Sequence, residues 1–269
     1  HCAFCDQDIE ITDELIKETE ERISKILNTV KQSNEKNKKR EDEGETEYIK
    51  GKLASVAPRI LMKILYGARM ARYDLLRPVC HLACYLTKWT PECDIRLHRL
   101  MCCWIHSSLD QRMVGWIGNE ETVETIGPHL YADADLGGCL RTQRSTSGAY
   151  QVVSGLHANF PIEGISKRQP YVSISTPEAE LVACNFAIRI SGLPSMIIWK
   201  KIFHKNTILR VHEDNHAMTR VIHTGKNPTM KYLERVHRMN VAWIHEQFAN
   251  EDIQLDYTIS KNMRADIFT

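Results

Sequence analysis

Leu130-Tyr131-Ala132-Asp133-Ala134-Asp135-Leu136 is the stretch on which the fold turns. Strand alternation puts Tyr131, Asp133 and Asp135 on one face and Ala132 and Ala134 on the other. Acids on one face of a central strand are locally inconsistent unless something cationic neutralises them, and such an inconsistency points to a site. A solvent-facing edge strand is the alternative reading of the same residues.

Working outward, Ser147 to Ser154 and Ile162 to Ser175 read as two further strands separated by Gly/Asn/Pro loops. A long helix is expected from Pro177 to about Phe203, interrupted near Gly192 and Pro194. Ile208 to His212 reads as a strand, Asn215 to His223 as a helix ended by Gly225, and Met230 to Ala249 as another helix. Ile253 to Thr258 follows as a strand, and a last helix is expected from near Asn262. This order predicts an α/β fold, a mixed sheet with helices packed on it, over residues 119–269.

Upstream the periodicity is helical. Over residues 53–118, stripes form at Ile60, Leu61, Ile64, Leu65 and Ala68, at Val79, Leu82, Ala83 and Leu86, and at Leu97, Leu100, Met101, Trp104 and Ile105. Residues 1–52 read as a charged amphipathic helix (Ile11, Leu15, Ile16, Ile23, Ile26, Leu27, Val30) followed by a polar, solvated linker. The chain opens on His1, which suggests a piece of something longer.

Composition narrows the function class. The net charge is +1, so a nucleic-acid surface must be a local patch and not a global basic field. No apolar run approaches the ~20 residues of a membrane span, and no signal-peptide pattern opens the chain. Nine irregularly spaced cysteines in 269 residues fit reduced thiols, in a cytoplasmic or nuclear setting and not a secreted one. His1-Cys2-Ala3-Phe4-Cys5 contains a CxxC pair, but no second pair follows nearby to complete a zinc site.

Beyond Asp133, three acids stand out. In Ser175-Thr176-Pro177-Glu178-Ala179-Glu180, Thr176 suits a cap, Pro177 the first turn, and Glu178 the positive end of the helix dipole. Glu178 is therefore explained by the helix start, and its replacement by Gln is expected to alter stability only slightly. Glu180 shares its face with Ala183, Cys184 and Ala187, a small apolar stripe that should meet the sheet. A carboxylate there needs a partner, and a metal is the obvious one. Asp214 follows a strand and precedes a helix, where it could be a ligand or simply the N-cap. Asp266, by itself, is an ordinary surface acid.

Taken in order, Tyr131 to Asp135, Thr142 to Gly148, Ile165 to Gln169, Ser175 to Glu180, Glu213-Asp214-Asn215 and Ala265 to Thr269 closely resemble the successive blocks of the ribonuclease H domain of copia-type LTR retrotransposon Pol polyproteins. Ala71 to Leu75 through Leu97 to Leu100 is similar to the helical connection from reverse transcriptase. The resemblance implies a ribonuclease H-like domain over 119–269, preceded by that connection over 53–118. It implies that Asp133, Glu180, Asp214 and Asp266 are the catalytic residues and the ligands of two Mg²⁺ ions, with Mn²⁺ able to substitute. The partners implied are an RNA–DNA hybrid, whose RNA strand is hydrolysed, and the rest of the Pol polyprotein, with no membrane.

Hybrid binding needs phosphate and 2′-hydroxyl contacts. The candidates are Arg141, Arg144, Ser145, Lys167, Arg168 and Gln169, with Lys226, Lys231, Arg235 and Arg238 a secondary group. His237 and His245 lie on a helix where a catalytic histidine could sit, yet neither aligns cleanly and neither is assigned. Leu136 stands where family members often have Trp, and Pro177 where many have Thr. No Tyr-x-Asp-Asp polymerase motif is present, so DNA synthesis is not expected. A catalytically silent or co-opted copy, acting as a nucleic-acid-binding or scaffold module, is the rival reading. Asp266 lies in a segment too short to hold itself helical without packing, and is expected to be mobile or displaced from the other three acids.

Overall fold

A computed structural model describes residues 48–107, 111–139, 141–226, 230 and 232–269, with backbone alone over 103–107. The amphipathic stretch at 11–30, the CxxC pair, the side chains of Trp104 and Ile105, and Lys231 lie outside the described residues. Lys50–Thr269 forms one compact unit.

Among the described residues three α-helices come first: α1 (Ala57–Ala71), α2 (Leu76–Ala83) and α3 (Pro91–Ser107). Their expected stripes face inward, with Leu61, Ile64, Ala68, Val79, Leu82, Leu97 and Leu100 all buried. Phe268, from the far end of the sequence, completes this cluster together with Tyr150 of the sheet.

The sheet has six strands: β1 (Trp116–Ile117), β2 (Gly127–Ala134), β3 (Thr146–Ser154), β4 (Ala158–Arg168), β5 (Leu209–Glu213) and β6 (Ile253–Tyr257). Their spatial order is β1-β4-β3-β2-β5-β6. The β2-β3-β4 meander is antiparallel, whereas β5 joins β2 and β6 joins β5 in parallel. The expected mixed sheet is thus observed, with β2 in its interior. Parallel pairs need long crossovers, and the helices α4 (Thr176–Ala187), α5 (Leu193–Phe203), α6 (His216–Thr224), α7 (Leu233–Val236) and α8 (Val241–Ala249) supply them.

Leu130 and Ala132 of β2, Leu209 and Val211 of β5, and Leu181, Cys184 and Ile188 above them make the principal core. A single π turn, Ile188–Gly192, joins α4 to α5. A Cβ on Gly192 would sit 2.7 Å from Leu209 Cδ2, so the missing side chain is what lets the helix lie close on the sheet. Contrary to the sequence expectation of no run near the length of a membrane span, Thr176–Phe203 is apolar and long enough, by length and composition only, to cross a membrane. It nevertheless carries Glu178 and Glu180, and its first half is buried on the sheet.

Several boundaries differ from the sequence reading, each for a local reason. β4 runs from Ala158 to Arg168; the next residue, Gln169, still donates its backbone N–H to Ser145 O in register with β3, and its side chain is buried. The helix expected over 230–249 is two helices. Arg238 adopts φ 52°, and Asn240 Oδ1 accepts from Ala242 N and Trp243 N to start α8 afresh. The last helix is replaced by two 3₁₀ turns, Ser260–Asn262 and Asp266–Phe268.

Candidate metal centre

Asp133 stands at the end of β2, paired across to Gly148 of β3. Alternation works as read: Leu130, Ala132 and Ala134 are buried on the α4 side, and Asp133 faces the other way with His129 and Tyr131. Asp135 has a separate structural explanation. Its carboxylate accepts from Thr146 N at 2.5 Å and pairs with Arg77 at 3.0 Å, which pins the turn out of β2.

Glu180 is 4 % exposed, on a face with Ala183, Cys184 and Ala187, all fully buried. Its Oε2 is buried without a hydrogen-bond partner. Asp214 follows β5, and the cap reading fails for it: Asn215 caps α6, its Oδ1 accepting from Met218 N at 3.1 Å. Asp214 is thereby free to face the cluster, where Ser260 Oγ donates to its Oδ2 at 2.5 Å. Asp133, Glu180 and Asp214 converge, with one ligand atom from each lying within 4.8 Å of the others. Three elements distant in sequence bring them together.

The electrostatics follow from that convergence. Burial raises the Asp133 carboxyl, with Asp214 adding to it and a hydrogen bond from Thr269 Oγ1 (2.7 Å) opposing it. Burial pushes Glu180 well above the carboxylate range, and the neighbouring charges of Glu213, Asp133 and Asp214 push it further. Like charges in low dielectric favour protons or a cation. Three oxygen donors with one orphaned buried oxygen fit a hard divalent ion.

Asp266 lies outside this group of three but senses it. Although the residue is exposed, partial desolvation by its neighbours, then Asp133 and Asp214, push its carboxyl up to about 6. Its segment is tied down, not mobile: Phe268 is fully buried, Ser166 Oγ donates to Phe268 O at 2.6 Å, and Arg77 Nε donates to Thr269 O at 2.7 Å. Packing supplies the order that helix formation does not. A Cβ on Gly148 would meet Ala265 O at 2.7 Å, so this segment lies directly on β3 opposite Asp133.

The candidate hybrid contacts divide into two kinds. Arg141 and Lys167 are exposed, and Arg144 and Arg168 half-buried. They gather at the Asp133 end of the sheet, since Gly148, the partner of Asp133, also pairs with Ser166, one residue from Lys167. Arg141 lies over the Tyr85 ring and donates to Cys84 O, and Lys167 lies over Phe186. Ser145 and Gln169 are different. Both are buried, and both satisfy internal groups: Ser145 Oγ accepts from Gly137 N, while Gln169 Nε2 donates to Ser147 Oγ and Ala179 O. They shape the loops and are not exposed to a ligand. Lys226, Arg235 and Arg238 are exposed.

Three features escaped the sequence reading. Glu213 is fully buried beside Asp214, and alternation from Leu209 and Val211 would have placed it on the core face. His129 and His212 stack and share a 2.9 Å hydrogen bond, with Tyr131 stacked on His212. Glu178 is not a surface helix-start acid. It is fully buried and accepts from Ile174 N (2.9 Å), Tyr232 Oη (2.7 Å) and His237 Nε2 (3.0 Å).

No protein-family model matches the chain. Among solved structures, LC11-RNase H1 isolated from compost matches at 18% identity and TM-score 0.36, over 52% of this chain and 90% of that one. The same enzyme in complex with an RNA/DNA hybrid matches at 18% identity and TM-score 0.36, over 52% and 92%. The N-terminal RNase H domain of a Mycobacterium tuberculosis protein, solved as a fusion with maltose-binding protein, matches at 12% identity and TM-score 0.33, over 54% and 91%. By its strand order, mixed pairing and flanking helices, the chain has a ribonuclease H-like fold.

Proposed function

We propose that the chain is a metal-dependent ribonuclease H, cleaving the RNA strand of RNA–DNA hybrids as part of a copia-type retrotransposon Pol polyprotein. The observation that carries this reading is the convergence of Asp133, Glu180 and Asp214 within 4.8 Å, with a buried Glu180 oxygen that has no protein partner. Asp133, Glu180 and Asp214 would hold the ion, with Asp266 as a more distant fourth ligand. Bound Mg²⁺ or Mn²⁺ would neutralise the anionic phosphodiester and lower the pKa of the attacking water. Thr269 and Ser260 orient Asp133 and Asp214 through their hydroxyls, leaving each carboxylate a second oxygen for the centre. Arg141, Arg144, Lys167 and Arg168 would steer the hybrid by phosphate contacts at the same end of the sheet. The identity of the surrounding polyprotein rests on the six sequence blocks alone.

The test is cleavage of a labelled RNA–DNA hybrid with Mg²⁺, with Mn²⁺ and with EDTA. Cleavage is expected with either ion and not with EDTA, and Asp133→Asn and Asp214→Asn are each expected to abolish it. A module that binds hybrid without cutting it is the second reading, favoured by the separation of Asp266 from the other three acids. It predicts hybrid binding with no product under any metal.

A further inference from the structure

Resting on the ribonuclease H reading, we propose that the outer face of α1 is a second contact for the RNA–DNA hybrid, holding the phosphates of a duplex that runs past the metal centre. From Ala57 to Arg77 the sequence carries five basic residues and one acid, in a chain whose net charge is only +1. Two of the five are paired within the fold, Arg72 with Asp74 and Arg77 with Asp135. The other three, Arg59, Lys63 and Arg69, are exposed on α1, a helix that contains no acid. Among the described residues, none of the three forms a salt bridge.

The buried residues of α1, Ala57, Leu61, Ile64 and Ala68, fix which side faces out. At 3.6 residues per turn the outer face reads, in order around the helix, Arg69, Met62, Tyr66, Arg59, Met70 and Lys63. Met62, Tyr66 and Met70 are exposed too, Tyr66 at 73 %. This interleaving discriminates between partners. A helix that lies on a membrane segregates its apolar side chains from its cations. Three apolar side chains also fall well short of the roughly 800 Å² that each side of a stable protein interface contributes. A duplex fits better: its phosphates take the charges, and the shallow minor groove of a hybrid presents 2′-hydroxyls to a group such as the Tyr66 phenol.

Position then selects the hybrid held by the centre. Tyr73, four residues after Arg69, donates through its Oη to Ile162 O of β4 at 2.9 Å, and its ring lies 6.5 Å from that of Phe268. Thr269, the next residue, donates to Asp133 at 2.7 Å and accepts at its carbonyl from Arg77. The C-terminal end of α1 is thus anchored to the strap that supports the centre. Arg59 lies ten residues before Arg69, about 15 Å along the helix, or roughly half a duplex turn.

The test is binding of labelled RNA–DNA hybrids by the whole 269-residue chain, by fluorescence anisotropy over a series of salt concentrations, in EDTA so that the RNA strand stays intact. Hybrids of about 8 and about 24 base pairs, under one turn and over two, separate the centre from the distal contact. Replacing Arg59, Lys63 and Arg69 together with Ala should weaken the long hybrid about tenfold or more and lower its log–log salt slope by about 3, near one per lost phosphate contact. The ratio of long- to short-hybrid affinity should fall toward one. A wild-type slope on the long hybrid in the triple variant would overturn the proposal. The single variants Arg59→Ala, Lys63→Ala and Arg69→Ala, each expected to remove about 1 from the slope, carry the same test if the triple variant fails to fold. The wild-type chain separates the failures. If it binds the long hybrid and the triple variant binds it equally well, only this inference falls. If it binds neither hybrid, the ribonuclease H reading falls and takes this inference with it.

Discussion

Replacing Glu178 with Ala tests the buried latch between the start of α4 and the α7 region. Three donors lose their acceptor: Ile174 N, Tyr232 Oη and His237 Nε2. Ile174 is exposed, so its N–H can turn to water at little loss, and Tyr232 is only half-buried. The His237 side chain is 1 % exposed and cannot. A buried donor without a partner costs roughly 1–3 kcal/mol, and breaking a buried ionic or hydrogen-bonded pair roughly 3–5 kcal/mol. A loss of about 3–4 kcal/mol is therefore expected. For a unit of this size, at about 2–4 °C per kcal/mol, Tm should fall by roughly 10 °C. Glu178→Gln keeps one acceptor oxygen and should lose about a third of that. Calorimetry in EDTA reads the stability, and Mn²⁺ binding by the folded variants should match wild type, because Glu178 is not part of the centre. A Tm change under about 2 °C for Glu178→Ala would refute the assignment of Glu178 as a latch.

Asp214→Asn should reduce hybrid cleavage by more than the ~10 to 100-fold typical of a supporting group, and near-normal turnover would remove it from the site. Replacing Arg144 and Lys167 together with Ala should raise KM for hybrid and flatten its salt dependence; an unchanged slope sends the binding surface elsewhere. Burial, with nearby Arg210, holds His129 down at about 4, and burial, with His129, does the same for His212. Between pH 6.5 and 4 the unfolded chain then binds more protons than the folded one. The stability from this pair is complete above about 6.5 and drains away as pH falls toward 4, by roughly 2 kcal/mol after allowance for partial exposure. Asp266, raised to about 6, slopes the opposite way in this window, so the readout is the difference between wild type and His129→Gln/His212→Gln. Identical pH profiles would exclude the histidine pair as the cause.

What the sequence made legible was periodicity and its violations. Asp133 was visible because alternation put an acid on an interior strand, and Glu180 because a helical stripe of small residues contained a carboxylate. Both arguments need only local geometry. Asp214 was ambiguous because Asp and Asn are both good caps, and only the folded backbone shows Asn215 taking that role. Glu178, Ser145 and Gln169 were misjudged for one shared reason. A polar side chain is buried when partners from elsewhere meet it, and those of Glu178 include groups 54 and 59 residues away. No window of sequence contains that information. Glu213 is different, since its alternation with Leu209 and Val211 is a local signal that places it on the core face.

The strap over β3 bears on the order in which this protein is made. Asp133 receives its hydroxyl donor from a residue 136 positions later, and Arg77 reaches a carbonyl 192 positions away. Closing loops of that length is entropically slow relative to the β2-β3-β4 meander, whose connections span only residues 135–145 and 155–157. Phe268 enters the same cluster as the helices at the beginning of the compact unit, so their core too stays open until residues 265–269 arrive. During synthesis from the N-terminus, the sheet can form while its acids are still unsupported, and the centre closes only when residues 265–269 settle between Tyr73 and Gly148. Metal affinity is in this sense a report on completed folding.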